Sequence, residues 1–110
     1  MQDYLLLIKG KTELDYAPEA LQQRLAEYRE WVLTLGERHR SDNRLEQSGA
    51  HLRSQSDILI DGPFLEAKEV IAGFVILKAV NLEEAIDLAK ACPLLHYFEI
   101  YVRPMIADGS

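Results

Sequence analysis

Four charged side chains stand within nine positions in Asp61-Gly62-Pro63-Phe64-Leu65-Glu66-Ala67-Lys68-Glu69. Such a cluster can be a solvated ion-pair network, in which each exposed pair is worth under about 1 kcal/mol. It can also orient a carboxylate for proton transfer, which needs a partner and a pKa moved toward neutrality. His51 lies upstream and would supply an imidazole. His51, Asp61 and Glu66 are therefore the candidate catalytic residues. Phe64, Lys68, Glu69 and Arg103 are the candidate ligand contacts, with Phe64 as an apolar wall and Arg103 as the outer cation. All are expected to converge on one concave region. Each has a structural alternative. Asp61 can bond backbone N–H groups beyond it and lock a turn. Phe64 can simply anchor the loop, His51 can be a half-exposed hydrogen-bonded ring, and Arg103 can pair with Glu66 or Glu69.

Other chemistries find little support. His39, His51 and His96 are far apart and form no metal-ligand spacing with each other or with Cys92. No phosphate-cradling glycine loop and no serine nucleophile motif occurs, so neither a metal nor a cofactor is expected. Cys92 is the single cysteine, which rules out an internal disulfide, and its neighbours suggest a buried thiol. The net charge of −6 argues against a nucleic-acid partner, which calls for a basic stripe. The run Arg38-His39-Arg40 with Arg44 reads as a solvated helix end. No stretch approaches the roughly 18 apolar residues of a membrane span. The apolar run near the start is only Leu5 to Ile8, too short for a secretory leader. A soluble cytoplasmic protein with no membrane partner is the expectation. The 110 residues, 48% of them hydrophobic, suit one domain over residues 1–110.

The elements that would position the charged cluster follow from periodicity. Tyr4 to Ile8 is a short buried strand closed by Lys9-Gly10-Lys11. Pro18 suits the first turn of a helix. Leu21, Leu25, Tyr28, Val32 and Leu35 recur at helical spacing, and Gly36 is a stop. Ser41 to Gly49 reads as a polar loop. Ala50 to Arg53 is a short strand or bulged ribbon, and Asp57 to Ile60 a clearer strand. Val70 to Val80, rich in β-branched and aromatic residues, is a central strand. The strand ending at Ile60 and this one would form a hairpin, with the His51 strand beside Gly73. Asn81 caps a second helix, with Glu84 placed for a reciprocal bond, and Pro93 ends it. Tyr97 to Arg103 alternates as a last strand.

The order is β-α-β-β-α-β, an α+β ferredoxin-like antiparallel sheet with two helices on one face. Two helices cover one face only. Phe98, Ile100 and Val102 would point to the core, and Tyr97, Glu99, Tyr101 and Arg103 away from it. A homodimer packed sheet to sheet would cover that second face. Trp31 is expected at the core edge or in the dimer contact.

Asp61-Gly62-Pro63-Phe64 with Glu66, Lys68 and Glu69, then Gly73-Phe74, resembles the DGPF subgroup of the YCII-related domain. Glu84-Ala85, Cys92-Pro93 and the closing Glu99, Val102-Arg103-Pro104 fit the same pattern, so the match runs from about Tyr4 to Pro104. The resemblance implies a dimeric α/β barrel with a cavity between helices and sheet or near the subunit contact. It implies no particular reaction. The YCII branch proper carries a His on the first helix that pairs with an Asp. Here that helix reads Tyr28-Arg29-Glu30-Trp31-Val32-Leu33, with Val32 at the corresponding position. Three functions stay open: a dimeric small-ligand-binding or accessory domain, a cofactor-free acid–base enzyme of the lyase, isomerase or monooxygenase type, and a protein-interaction module.

Overall fold

The computed structural model describes residues 1–11, 17–46, 48–61 and 69–107. Tyr4 to Ile8 lies within a longer strand, β1 (Gln2–Lys11), and the apolar run after residue 69 is β5 (Glu69–Ala79). They pair antiparallel along most of their length, from Gln2 opposite Ala79 to Lys11 opposite Glu69, with a bulge at Ile8/Lys9. β6 (Glu99–Pro104) flanks β1, and β2 (His39–Arg44) flanks β5, both antiparallel. The sheet order is β2-β5-β1-β6. With α1 (Pro18–Leu35) and α2 (Leu82–Lys90) this is the ferredoxin-like arrangement, α+β with an antiparallel sheet.

Alternation sorts the sheet residues. Tyr4, Leu6 and Ile8 of β1 and Val75, Leu77 and Ala79 of β5 are buried toward the helices. Trp31 and Leu35 of α1 and Ala85 and Ala89 of α2 close over them. Trp31 is thus a core residue, only 4% exposed, and not the edge or dimer residue expected from sequence. Its indole N–H donates to the Leu88 carbonyl at 3.0 Å, which ties α1 to α2. Cys92 is buried in the same cluster, as expected, and burial pushes its thiol up to about 11.

Local signals explain the helix ends. Pro18 sits at the start of α1, where a missing N–H costs nothing. Gly36 ends it with φ of 56°, a conformation a Cβ would strain. Asn81 caps α2, its side chain accepting from the Glu84 N–H at 2.9 Å. The Glu84 carboxylate takes the Val80 N–H at 2.8 Å and pairs with Arg38. These two bonds, the backbone N–H first, hold Glu84 below its ordinary pKa.

Two expectations from sequence need correction. The second strand of the main sheet is β2, not a segment of residues 50–60. Its sequence, His-Arg-Ser-Asp-Asn-Arg, has no apolar residue. It is an edge strand, held by backbone bonds to β5, so charge and polarity there are compatible with sheet membership. Arg38, His39, Arg40 and Arg44 accordingly surround a strand rather than ending a solvated helix. Arg40 lies 3.6 Å from Asp3 across the sheet.

The apolar runs at 50–60 instead form a separate hairpin. β3 (Gly49–Ser54) and β4 (Asp57–Asp61) pair with each other in their own two-stranded sheet. β4 therefore does not pair with β5, and the neighbour of Gly73 is Arg44 of β2, not the His51 strand. Tyr97 also departs from its expected place. It precedes β6, its hydroxyl donating to Glu27 of α1 at 3.4 Å, so it lies on the helix side.

Candidate functional site

At one end of the helix–sheet interface the side chains do not meet. A cavity of about 110 Å³ lies between the first half of α1, the start of β5 and the end of β2. Leu21 and Leu25 of α1, Ile8 of β1, Val70 of β5, and Leu94 and Phe98 line it. The bulge after Ile8 and the close approach at Gly73 shape its floor. A Cβ on Gly73 would sit 2.6 Å from the Asn43 carbonyl oxygen, so only glycine lets β2 approach β5 this closely.

The polar residues of the wall are Arg24, Tyr28, Asp42, Asn43, Arg44 and Glu46. Arg24 is 5% exposed, and its guanidinium lies 5.4 Å from the Tyr97 ring. Tyr28, one turn further along α1, donates its hydroxyl to Asp42 Oδ2 of β2. His39 Nε2 lies 3.3 Å from the other carboxylate oxygen of Asp42. The three side chains thus form a line, Tyr28–Asp42–His39. Its inner members line the cavity and its last member, His39, sits behind them. Burial first, then the bond to Asp42 and its negative charge, hold the Tyr28 phenol far above the ordinary tyrosine range. Tyr28 is thereby a neutral donor at any ordinary pH. Asp42 accepts from one side and contacts an imidazole on the other. The line is a continuous polar connection from the cavity wall to His39 of the edge strand.

Of the residues singled out from sequence, His51 is exposed on β3, opposite Leu59, and is not part of the cavity wall. Arg103 is exposed on β6, opposite Leu5, and is also outside the wall. The backbone of Asp61 ends β4, paired with Gly49, and that of Glu69 begins β5, opposite Lys11. Val70, the next residue, lines the cavity. Phe64, Glu66 and Lys68 lie outside the described residues. The topological argument for one shared site rested on a β4–β5 hairpin, and that pairing does not occur.

The sequence reading missed Arg24, Tyr28, Asp42 and His39 as a group. Tyr28 stood on the apolar seam of α1 and read as core. Asp42 and His39 lay in a segment read as loop and helix end. The available signal was the seam itself. Arg24, beside it, is more deeply buried than Leu21 and Leu25, because the cavity lies under those two leucines. Among the described residues no cluster of three His, Cys, Asp or Glu side chains could hold a metal ion.

The fold and the cavity together define an α+β, ferredoxin-like domain with an apolar pocket under its first helix. The chain matches the YCII-related domain over residues 4–106 and belongs to that family. Among solved structures it is similar to a 5-chloro-2-hydroxyhydroquinone dehydrochlorinase from Burkholderia phenoliruptrix AC1100, determined in complex with 2,5-dihydroxybenzoquinone. The TM-score is 0.56 at 16% identity, over 96% of this chain and 95% of that one. A likeness at this identity speaks for the fold. No curated protein matches the chain. No helix among the described residues is long and apolar enough to cross a membrane.

Proposed function

We propose that this protein is a dimeric small-ligand-binding domain of the DGPF subgroup. Its ligand enters the cavity under α1. The observation that carries this reading is the cavity itself, an apolar space between the first helix and the sheet. Its volume, about 110 Å³, is of the order of the roughly 150 Å³ cavity that takes benzene. One ring or a short branched chain fills such a space. Arg24, Tyr28 and Asp42 favour a ligand with one hydroxyl or carboxyl group on that apolar body. The dehydrochlorinase of like fold was crystallised with a one-ring dihydroxylated quinone, which is consistent with that size class.

The test is an amide chemical-shift titration with benzoate, 4-hydroxybenzoate and cyclohexanol as probes. Shifts should cluster at Arg24, Val70 and Gly73 and vanish in Leu25→Trp, which fills the space. Shifts scattered over the surface, or unchanged in Leu25→Trp, would overturn the reading.

A second reading, a cofactor-free acid–base enzyme, is favoured by one observation, the line Tyr28–Asp42–His39. In that reading Asp42 takes a proton from the ligand, Tyr28 donates a hydrogen bond, and His39 passes the proton outward. Dimerisation enters both readings through the sheet face that the helices leave open. Leu5 and Leu7 of β1 and Phe74 and Ile76 of β5 are its half-buried centre, and Tyr101 is exposed beside them. A second copy packed sheet to sheet would cover it.

A further inference from the structure

Among the described residues one charged side chain is buried, Arg24 of α1, and it stands in the wall of the cavity. An arginine on a helix commonly lays its stem on apolar surface and keeps its head in water. Arg24 does the reverse, for its Nη2 is itself buried. The Tyr97 ring lies 5.4 Å from the guanidinium, within reach of a cation–π contact. The Tyr97 hydroxyl donates to Glu27 of the same helix at 3.4 Å, so the ring is tethered beside Arg24. The other charges of the wall are placed differently. Arg44 and Glu46 are exposed. Asp42 is half-buried, and both of its oxygens are engaged, one by the Tyr28 hydroxyl and one by His39 Nε2.

We infer that the cavity takes a compact monocarboxylate, of the size of benzoate, with its carboxylate on Arg24 and its apolar body among Leu25, Val70 and Phe98. This rests on the cavity being the ligand site, as proposed above, and adds the ligand's charge and the residue that reads it. A guanidinium is planar and donor-only, and it matches a carboxylate through two parallel N–H···O bonds. A neutral hydroxyl compound offers it a single weaker acceptor. The pairing would form beside an apolar lining, where opposite charges attract more strongly than in water. Asp42 sets the orientation. It meets Tyr28, which stands one helical turn beyond Arg24, so the wall carries a cation at one end and an anion at the other. A single negative charge is drawn to the first and repelled by the second. A dicarboxylate would bring its second charge toward Asp42 and is disfavoured.

Amide chemical-shift titrations at neutral pH with benzoate and benzamide, which are near in shape and differ in charge, test it. Benzoate should bind at least about tenfold more tightly than benzamide, with both probes shifting Val70 and Gly73. Arg24→Met keeps the stem and removes the charge, and it should bring the ratio of the two affinities to about one. Arg24→Lys keeps the charge and loses the planar fork, and it should lower the ratio by about threefold. Equal affinities in the intact chain, with both probes in the cavity, overturn the carboxylate and leave the binding reading standing. A ratio that survives Arg24→Met overturns Arg24 as the residue that reads the charge. If Arg24→Met does not fold, an unchanged ratio in Arg24→Lys overturns it instead. If neither probe shifts the cavity amides, the binding reading falls and this inference falls with it.

Discussion

The two ends of one helix–sheet interface differ. At the far end Trp31 and Leu35 of α1 share one buried cluster with Tyr4, Leu6, Leu77 and Ala79. At the near end Leu21 and Leu25 stand over Ile8 and Val70 with about 110 Å³ between them. The helix and the two central strands are the same, and both ends are rich in apolar residues. Burial energy cannot explain the difference, since a leucine at the near end could fill the space as well as one at the far end. Close packing is the default of protein interiors, and the unfilled end is the one that also carries Arg24, Tyr28 and Asp42.

That contrast can be broken first at the filled end. Trp31→Ala removes a buried ring and the hydrogen bond to Leu88. Large-to-small changes of this kind cost about 3–5 kcal/mol. Denaturant melts should show a loss of that size, and a loss under about 1 kcal/mol would mean that the far end relaxes as readily as the near end. Gly73→Ala is next. Its Cβ would press on the Asn43 carbonyl, and overpacking costs about 1–3 kcal/mol. The same melts should show it, together with altered amide shifts in β2. An unchanged midpoint would mean that β2 moves freely, and with it Asp42. Leu21→Phe, by contrast, adds volume where there is room. Stability should stay within about 1 kcal/mol of the parent while binding of the benzoate probe falls. A large destabilisation would show that the near end is packed after all.

How much of this was legible in the sequence differs by element, for physical reasons. The seam Leu21–Leu35, the long apolar run of β5, the Asn81 cap and the Gly36 stop were all readable, because each is a local rule. β2 was not. An edge strand needs backbone partners rather than apolar side chains, so its polar residues looked like a helix end at His39 and Arg40 and a loop from Ser41 onward. The hairpin erred the other way. Ile58-Leu59-Ile60 looked like a core strand, and its apolar side chains stand exposed in the single chain. The line Tyr28–Asp42–His39 joins α1 to β2, so losing β2 concealed it. His51 and Arg103 drew attention for their chemistry and for an expected hairpin that does not form, and the fold places neither in the cavity wall.

The smallest effect concerns Tyr28, and at neutral pH it is nil. Burial and Asp42 raise its pKa in the folded chain, whereas in the unfolded chain a tyrosine titrates near about 10. Below that value both states hold the proton, and the full stabilisation is present. Above it the unfolded state gives up the proton while the folded state keeps it. The unfolded state then binds fewer protons, so stability falls as pH rises, from about pH 10 upward. Cys92 contributes a slope of the same sign that begins lower, between the ordinary thiol range and its folded value of about 11. The two are separable by comparing the intact chain with Tyr28→Phe. Denaturant midpoints of the two should run parallel up to about pH 9 and converge above about pH 10, because only the intact chain still has a phenol to lose. The phenolate absorbance of the folded intact chain should also match that of folded Tyr28→Phe, because Tyr28 keeps its proton. Curves that stay parallel throughout, or a phenolate signal in the folded intact chain that Tyr28→Phe lacks, would show that Tyr28 is not held by burial and Asp42. The line of contacts from the cavity wall to His39 would then lose its first member.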